Sequence, residues 1–379
     1  MKQPTRIAIV HEWFTSMRGG EKCVEALCEL FPQATLFALV HVKGSVSATL
    51  EAMPIRTSFI QRLPFAGRNY RRYLPLFPSA VERFNLSEFD LVVSSSHAVA
   101  KGVRTPPHAL HICYCYTPMR YIWGLYDDYF GKERAGLSTR GGMWLFRNYL
   151  RRWDVRTAEN PHYLVAISEN VRQRIKKIYN RNADVIYPPV DTSFFRLSTR
   201  DDGYYLIVSA LVPYKRVDLA IRVFNKLREK LVIVGDGPEL GRLKNLAGPT
   251  VELVGWQSDE RVREYYAGCH ALVFPGEEDF GIVPVEAMAC GKPVIALARG
   301  GAVETVLNTP ALKTGVLFEE QTEDALIAAV RRMKEETFHP EVLRSFALTF
   351  DRDVFKRRMR DYIGRRWLEF STRIPQAKI

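Results

Sequence analysis

The sequence has no run of apolar residues near the roughly 18 that a membrane-crossing helix needs. Its longest candidates, YLIVSALV and LVIVG, have the length of buried parallel strands. The opening MKQPTRIAIVHEW runs straight into a strand-like segment, with no longer apolar stretch and no small-residue cleavage site, so no signal peptide is expected. Cysteine is scarce. The six (Cys23, Cys28, Cys113, Cys115, Cys269, Cys290) lack the spacing of a zinc site and are expected as free thiols in a reducing cytoplasm. Asp351-Arg-Asp353 is the one Asp-x-Asp string considered for a divalent ion, and it opens a helical pattern where aspartates cap. No metal site is expected. Low apolar content is also absent: 47% hydrophobic and 12% aromatic residues exclude disorder.

A length of 379 residues suggests two cores rather than one. Apolar runs alternate with helical patterns throughout: RIAIVHE, ATLFALV, LVVSSS, ALHICYC and YLVAISE, then YLIVSA, LVIVGDG, VELVGW, ALVFPG and PVIALA. That repetition predicts an α/β chain of parallel sheets with helices on both faces. The stiff YPPVDTSFF segment divides the two series and serves as the hinge. The expected domains are 1–188 and 189–350, each Rossmann-like. Residues 351–379 form a terminal helix whose stripe Phe355, Met359, Tyr362 and Ile363 needs a surface to cover it.

Charge divides along the same lines. Residues 1–190 carry 26 Lys and Arg against 15 Asp and Glu, residues 191–350 carry 19 against 23, and residues 351–379 carry 9 against 4. A basic first domain and tail suit an anionic partner, whereas an ordinary solvated surface would also carry such charge. Two stretches mix bulky apolar and basic residues, RLPFAGRNYRRYLPLF (62–77) and GGMWLFRNYLRRWDVR (141–156). They read either as a face at lipid headgroups or as core helices with a wet back.

The strongest chemical signal is FPGEEDFGIVPVEAMACGKPVIA, residues 274–296. A strand is followed by an acidic, glycine-containing loop, and then by a helix from Ile282 that Gly291 ends. Glu278 lies before that helix and Glu286 within it, while the amides of Phe280, Gly281 and Ile282 form a helix start suited to an anion. Two carboxylates there can accept hydrogen bonds from hydroxyls or simply cap and solvate the helix. Gly19 and Gly20 separate the first strand from its helix, where a backbone can approach a phosphate or merely turn. His97 ends the LVVSSS strand, at the carboxyl edge where such sheets bind ligands. IVGDGPELG lacks the spacing and the acidic partner of a dinucleotide site.

The 274–296 segment resembles the donor-binding block of retaining GT-B glycosyltransferases of family 4. The likeness continues, in order, through RGGEK, SSSHAVAKGV, CYTPMRYIWG, VAISENV, PPVDTSFF, SALVPYKRVD, IVGDGPEL and GGAVETV. It implies a GT-B fold, with a first domain for the acceptor, a second for the nucleotide diphosphate sugar and a terminal helix crossing back to the first. By that likeness Glu278 contacts hydroxyls of the transferred sugar and Glu286 contacts the ribose. The backbone of Gly281, Ile282 and Val283 lies along sugar and diphosphate, Lys215 neutralises the diphosphate, and Gly19 and Gly20 close over the donor. His97 approaches the donor sugar. Glu278 and His97 are thus the catalytic candidates, and a covalent nucleophile is unnecessary if the donor phosphate is the base. Many members carry Gly-Arg where this chain has Ser209-Ala210, which leaves Arg216 as a substitute guanidinium.

Trp13, Tyr116, Arg120, Tyr121 and Trp123 are acceptor-side candidates, for stacking on sugars and holding phosphate, or for packing. The wording of EEDFGIVPVEAMACG, ALVPYKRVD and CYTPMRY is similar to bacterial O-antigen and exopolysaccharide mannosyltransferases. This implies mannose transfer from GDP-mannose to a glycan on a polyprenyl diphosphate, with no cofactor, at the cytoplasmic face of the plasma membrane. The first domain would meet the anionic surface of that membrane. A UDP-sugar donor, an epimerase or phosphorylase of the same fold, and a basic nucleic-acid-binding protein are the alternatives, and no nucleic-acid partner is expected.

Overall fold

The computed structural model describes residues 4–120, 122, 123 and 137–373, with backbone alone at 137–145 and 373. It contains two compact units, one of residues 1–189 with 355–379 and one of residues 190–354. Among the described residues no helix is long and apolar enough to cross a membrane, and all six cysteines are free and buried.

The first unit is built on β1 (Ile7–Phe14), β2 (Thr35–His41), β3 (Ile55–Thr57), β4 (Leu91–Ser96), β5 (Leu110–Cys115), β6 (Tyr163–Ala166) and β7 (Asp184–Val185). They form one sheet in the order β3-β2-β1-β4-β5-β6-β7, and every pairing is parallel. Continuous apolar runs become its central strands because helices cover both faces; β1, β4 and β5 are buried along their whole length. Ile9 stands between Leu36 and Val93, which fixes the register of the three central strands. Helix Gly19–Leu30 turns Cys23, Val24, Leu27 and Cys28 into the core, at the spacing of one helical face.

The second unit repeats the scheme. Its strands β8 (Tyr205–Val208), β9 (Leu231–Val234), β10 (Val251–Gly255), β11 (Ala271–Phe274), β12 (Val294–Leu297) and β13 (Gly315–Phe318) lie in the order β10-β9-β8-β11-β12-β13. These pairings are parallel too. The apolar runs read from the sequence stop at PVIALA and so omit one strand, the four-residue edge strand β13. The same applies to the short edge strands β3 and β7.

Helix Arg352–Arg373 supplies the cover that its apolar stripe requires. Phe355, Met359, Tyr362 and Ile363 are buried; the Phe355 ring meets Tyr114 of β5 at 5.6 Å, and the Tyr362 hydroxyl donates to Asp184 of β7 at 2.9 Å. Its start is capped as the sequence suggests, since Asp351 Oδ1 accepts the Asp353 amide at 2.8 Å. Asp351 Oδ2 takes the Thr192 hydroxyl at 2.5 Å, so this carboxylate is occupied by protein on both oxygens.

In each sheet the strand order reverses direction once, between β1 and β4 and between β8 and β11. The crevice outside the carboxyl ends of such strands is where open α/β sheets bind ligands. Each unit's candidate residues lie at that place.

Candidate active site

In the second unit the site grows from the end of β11. Residues 275–281 leave the strand, and helix Ile282–Ala289 begins at Gly281, whose φ of 87° lies in the left-handed region that glycine adopts without strain. Three further glycines hold this loop between neighbouring backbones. A Cβ on Gly276 would stand 2.8 Å from Lys215 Cα, one on Gly300 would stand 2.2 Å from the Glu278 carbonyl oxygen, and one on Gly301 would stand 2.3 Å from Phe280 Cα. The close approach of Gly276 sets the short turn Pro213–Lys215 beside the loop, where the Lys215 ammonium pairs directly with the Glu278 carboxylate. Both side chains keep some exposure, 14% and 26%.

Glu286 sits one turn into the helix and is 8% exposed. Its Oε2 accepts the hydroxyl of Tyr266 at 2.9 Å, a residue that sequence reasoning does not single out. Burial, and then the charge of Glu286, push the Tyr266 phenol well above its usual range, so it stays a donor. Phe280 is buried against Phe350 at 5.6 Å, Gly281 is buried, and Ile282 and Val283 are half-buried. Arg216 caps the next helix at φ 52°. Its guanidinium is turned to Asp218 at 3.4 Å and to Gln321 at 3.3 Å, groups of its own unit.

The first unit's candidate residues form a denser cluster. Glu12, within β1, is fully buried, and its Oε1 accepts the amides of His97, Ala98, Val99 and Ala100 at 3.0, 2.9, 3.1 and 3.2 Å. The Ser96 hydroxyl donates to the same oxygen at 3.1 Å. The other oxygen, Oε2, has no well-aligned hydrogen bond among the described residues; His97 Nδ1 lies 3.0 Å and His11 Nδ1 3.8 Å from it. His11 Nδ1 contacts the Ser95 carbonyl at 3.1 Å and hydroxyl at 3.0 Å, while its Nε2 lies 3.7 Å from Glu21. Burial opposes a charge on Glu12, but His97, His11 and the converging amides overcome it and hold the carboxyl far below the usual carboxylate range. Burial likewise opposes charge on His11 and Glu21, and each outweighs it for the other, His11 being raised and Glu21 lowered.

Glu21 also secures the helix that Gly19 and Gly20 open, since its Oε2 accepts the Arg18 amide at 3.1 Å. The Tyr116 hydroxyl joins the Gly20 carbonyl at 3.1 Å to Ser95 Oγ at 2.9 Å, and a Cβ on Gly20 would lie 3.4 Å from His11 Cε1. Among the acceptor-side candidates, Trp13 and Tyr116 offer no open ring face. Trp13 is buried between Tyr70, Phe77 and the edge of His97, and Tyr116 is buried against Tyr114. Arg120 is half-buried and Tyr121 lies outside the described residues. The Trp123 indole donates to Asp154 at 2.7 Å, under Arg151. Sequence reasoning names none of Glu12, His11 and Glu21 as a site residue, although Glu21 falls within RGGEK and His11 and Glu12 interrupt an otherwise apolar buried strand.

Two family models match, in adjoining stretches. The model of Glycosyltransferase Family 4 matches residues 17–194, and that of Glycosyl transferases group 1 matches residues 191–347. Together the two models span residues 17–347, and over that span the chain is similar to glycosyltransferases of these two descriptions. An uncharacterized glycosyltransferase of Methanocaldococcus jannaschii is 31% identical over 39% of this chain and 44% of its own length. The GDP-mannose-dependent alpha-(1-6)-phosphatidylinositol monomannoside mannosyltransferase of Mycolicibacterium smegmatis is 30% identical over 53% of this chain and 60% of its own. The chain thus spans about half the length of these curated relatives. Solved structures of HepE of Anabaena with UDP (TM-score 0.71, 16% identity, 95% of this chain and 100% of that one) and sucrose-phosphate synthase of Thermosynechococcus elongatus (0.69, 16%, 96% and 99%) share the fold. The two parallel-sheet units with their terminal helix have the GT-B architecture.

Proposed function

We propose that the chain moves a hexose, with retention of configuration, from a nucleoside diphosphate sugar to a lipid-linked glycan, and that the donor is GDP-mannose. The observation that carries this reading is the pairing of Lys215 with Glu278 at the head of the helix that bears Glu286. A bound donor would part that pair. Its diphosphate would take the ammonium, whose charge stabilises the leaving group as the C1–O bond breaks, and its sugar hydroxyls would take the Glu278 carboxylate. Glu286, held by Tyr266, would accept the ribose hydroxyls. The acceptor oxygen forms the new bond to C1 on the face the diphosphate leaves, and its proton passes to a phosphate oxygen. The cation is Lys215 rather than a metal ion, and no cofactor takes part. His97 and Glu278 are the proposed catalytic residues.

Mannose from GDP-mannose is supported by the mycobacterial relative, whose name gives that donor and a phosphatidylinositol-linked acceptor. A role at the inner face of the plasma membrane, in bacterial surface polysaccharide synthesis, rests on the charge division of the sequence. It is further supported by one face of the first unit. Phe146 and Tyr149 project at 42% and 47% exposure, and a pocket of about 240 Å³ is lined by Arg83, Arg104 and Arg156 beside Tyr149 and Trp153. Glu82 lies among them as the acidic partner of Arg104 and Arg156. Aromatic rings and arginines together suit phosphate headgroups.

A thermal-shift panel of GDP-mannose, UDP-glucose and short DNA tests the reading, because a ligand bound only by the folded state raises the melting point. GDP-mannose is expected to give the largest rise. A larger rise with UDP-glucose would overturn the donor, and a response to DNA alone would overturn the enzyme.

A further inference from the structure

We infer that Glu12 is a positioning residue, which holds the His97 imidazole in the tautomer with its proton on Nδ1 and leaves Nε2 as the ring's free acceptor. The inference rests on the catalytic role proposed for His97 and adds the residue that sets its chemistry.

The two oxygens of Glu12 have different surroundings. Oε1 collects four consecutive amides and the Ser96 hydroxyl, so it closes the turn that follows β4 and fixes the backbone carrying His97. Oε2 is buried, and among the described residues no donor, His97 included, is aligned to it as a hydrogen bond. A buried carboxylate oxygen without a donor is costly, and the group that approaches it is His97 Nδ1 at 3.0 Å. His11 cannot serve instead. Its Nδ1 is 3.8 Å away and already faces the Ser95 carbonyl at 3.1 Å, which accepts its N–H. A carboxylate accepts and cannot donate, so a neutral His97 must present Nδ1–H to it. The ring is held in place by Trp13, T-shaped to it at a centroid distance of 4.8 Å, and keeps 24% exposure. Among the described residues no hydrogen bond occupies its Nε2.

A purely structural role, capping the turn, would involve Oε1 alone. Glu12→Gln separates the two roles. The amide cluster needs an acceptor, so the Gln carbonyl must take the place of Oε1 and its NH2 must face His97. The turn keeps its cap, whereas the imidazole meets a donor and must move its proton to Nε2.

Nitrogen-15 NMR of histidine-labelled protein reads this directly, with His97→Ala used to assign the signals. Recorded where His97 is neutral, the wild type is expected to show a protonated Nδ1, and Glu12→Gln a protonated Nε2. With the melting temperature and the donor KM little changed, release of GDP from GDP-mannose by Glu12→Gln should fall on the order of 100- to 10,000-fold, since a wrong tautomer leaves the geometry intact but disables the group. A wild-type His97 protonated at Nε2 overturns the inference, whether or not the variant folds. So does a Glu12→Gln protein of full activity beside an inactive His97→Ala, which leaves the proposed reaction standing. Full activity in His97→Ala overturns the catalytic role on which the inference rests.

Discussion

The two units solve the same problem, presenting polar groups at the switch point of a parallel sheet, in opposite ways. In the first unit the groups are side chains sunk in the protein: Glu12 is fully buried, and its partner His97 stands 85 residues further along the chain. In the second unit they are a backbone loop and a part-exposed ion pair, shaped by glycines that let one main chain lie against another. Buried charge must be matched by donors at fixed positions or it destabilises the fold, whereas a part-exposed pair adds little to stability and is free to exchange its partner for a ligand. The first unit's cluster is therefore rigid and tied to folding, and the second unit's pair can change partners. Mutations should separate the two.

The largest effect is expected from Glu12→Ala, which strands four amides and a hydroxyl in the core. It should cost the first unit about 3 to 5 kcal/mol in denaturant unfolding followed by tryptophan fluorescence, or prevent folding. Glu278→Ala should cost under about 1 kcal/mol by the same measurement, and equal losses would erase the contrast. Lys215→Ala comes next. Donor turnover should fall on the order of 100- to 1,000-fold at an unchanged melting temperature, the usual effect of removing one group that stabilises developing charge.

Gly300→Ala tests whether the glycines shape the loop. Its Cβ would meet the Glu278 carbonyl at 2.2 Å in a backbone of φ 66°, so a loss of about 1 to 3 kcal/mol with weaker donor binding is expected. Gly203→Ala has a similar φ of 71° with nothing within 4 Å, and should strain the chain while leaving donor affinity intact. The smallest effect is expected of Tyr266→Phe, which removes one hydrogen bond from Glu286 and should weaken donor binding by about 0.5 to 1.5 kcal/mol in calorimetry.

The same contrast explains what could be read from the sequence. The second unit's site lies in one continuous segment, so Glu278, Gly281 and Glu286 are visible as a loop and a helix start, and the fold is visible in alternating runs. Lys215 needed the family resemblance to join them. Tyr266 donates across 20 residues and Glu12 acts across 85, and neither distance leaves a local pattern. A histidine and a glutamate inside an apolar strand were the available signal, for a buried charge requires a partner somewhere in the fold. Trp13 and Tyr116 are ambiguous in sequence for the converse reason. Aromatic residues near a strand end suit sugar stacking and core packing equally, and burial decides between them.

Calorimetric titration of GDP-mannose into wild-type protein and Glu286→Gln bears most directly on the claim that the second unit grips a nucleotide sugar. Saturable binding is expected in the wild type, weakened by about 1 to 3 kcal/mol in the variant through loss of a charge-assisted contact to the ribose. Equal affinity in the two proteins, or no binding to the wild type of either GDP-mannose or UDP-glucose, would contradict it.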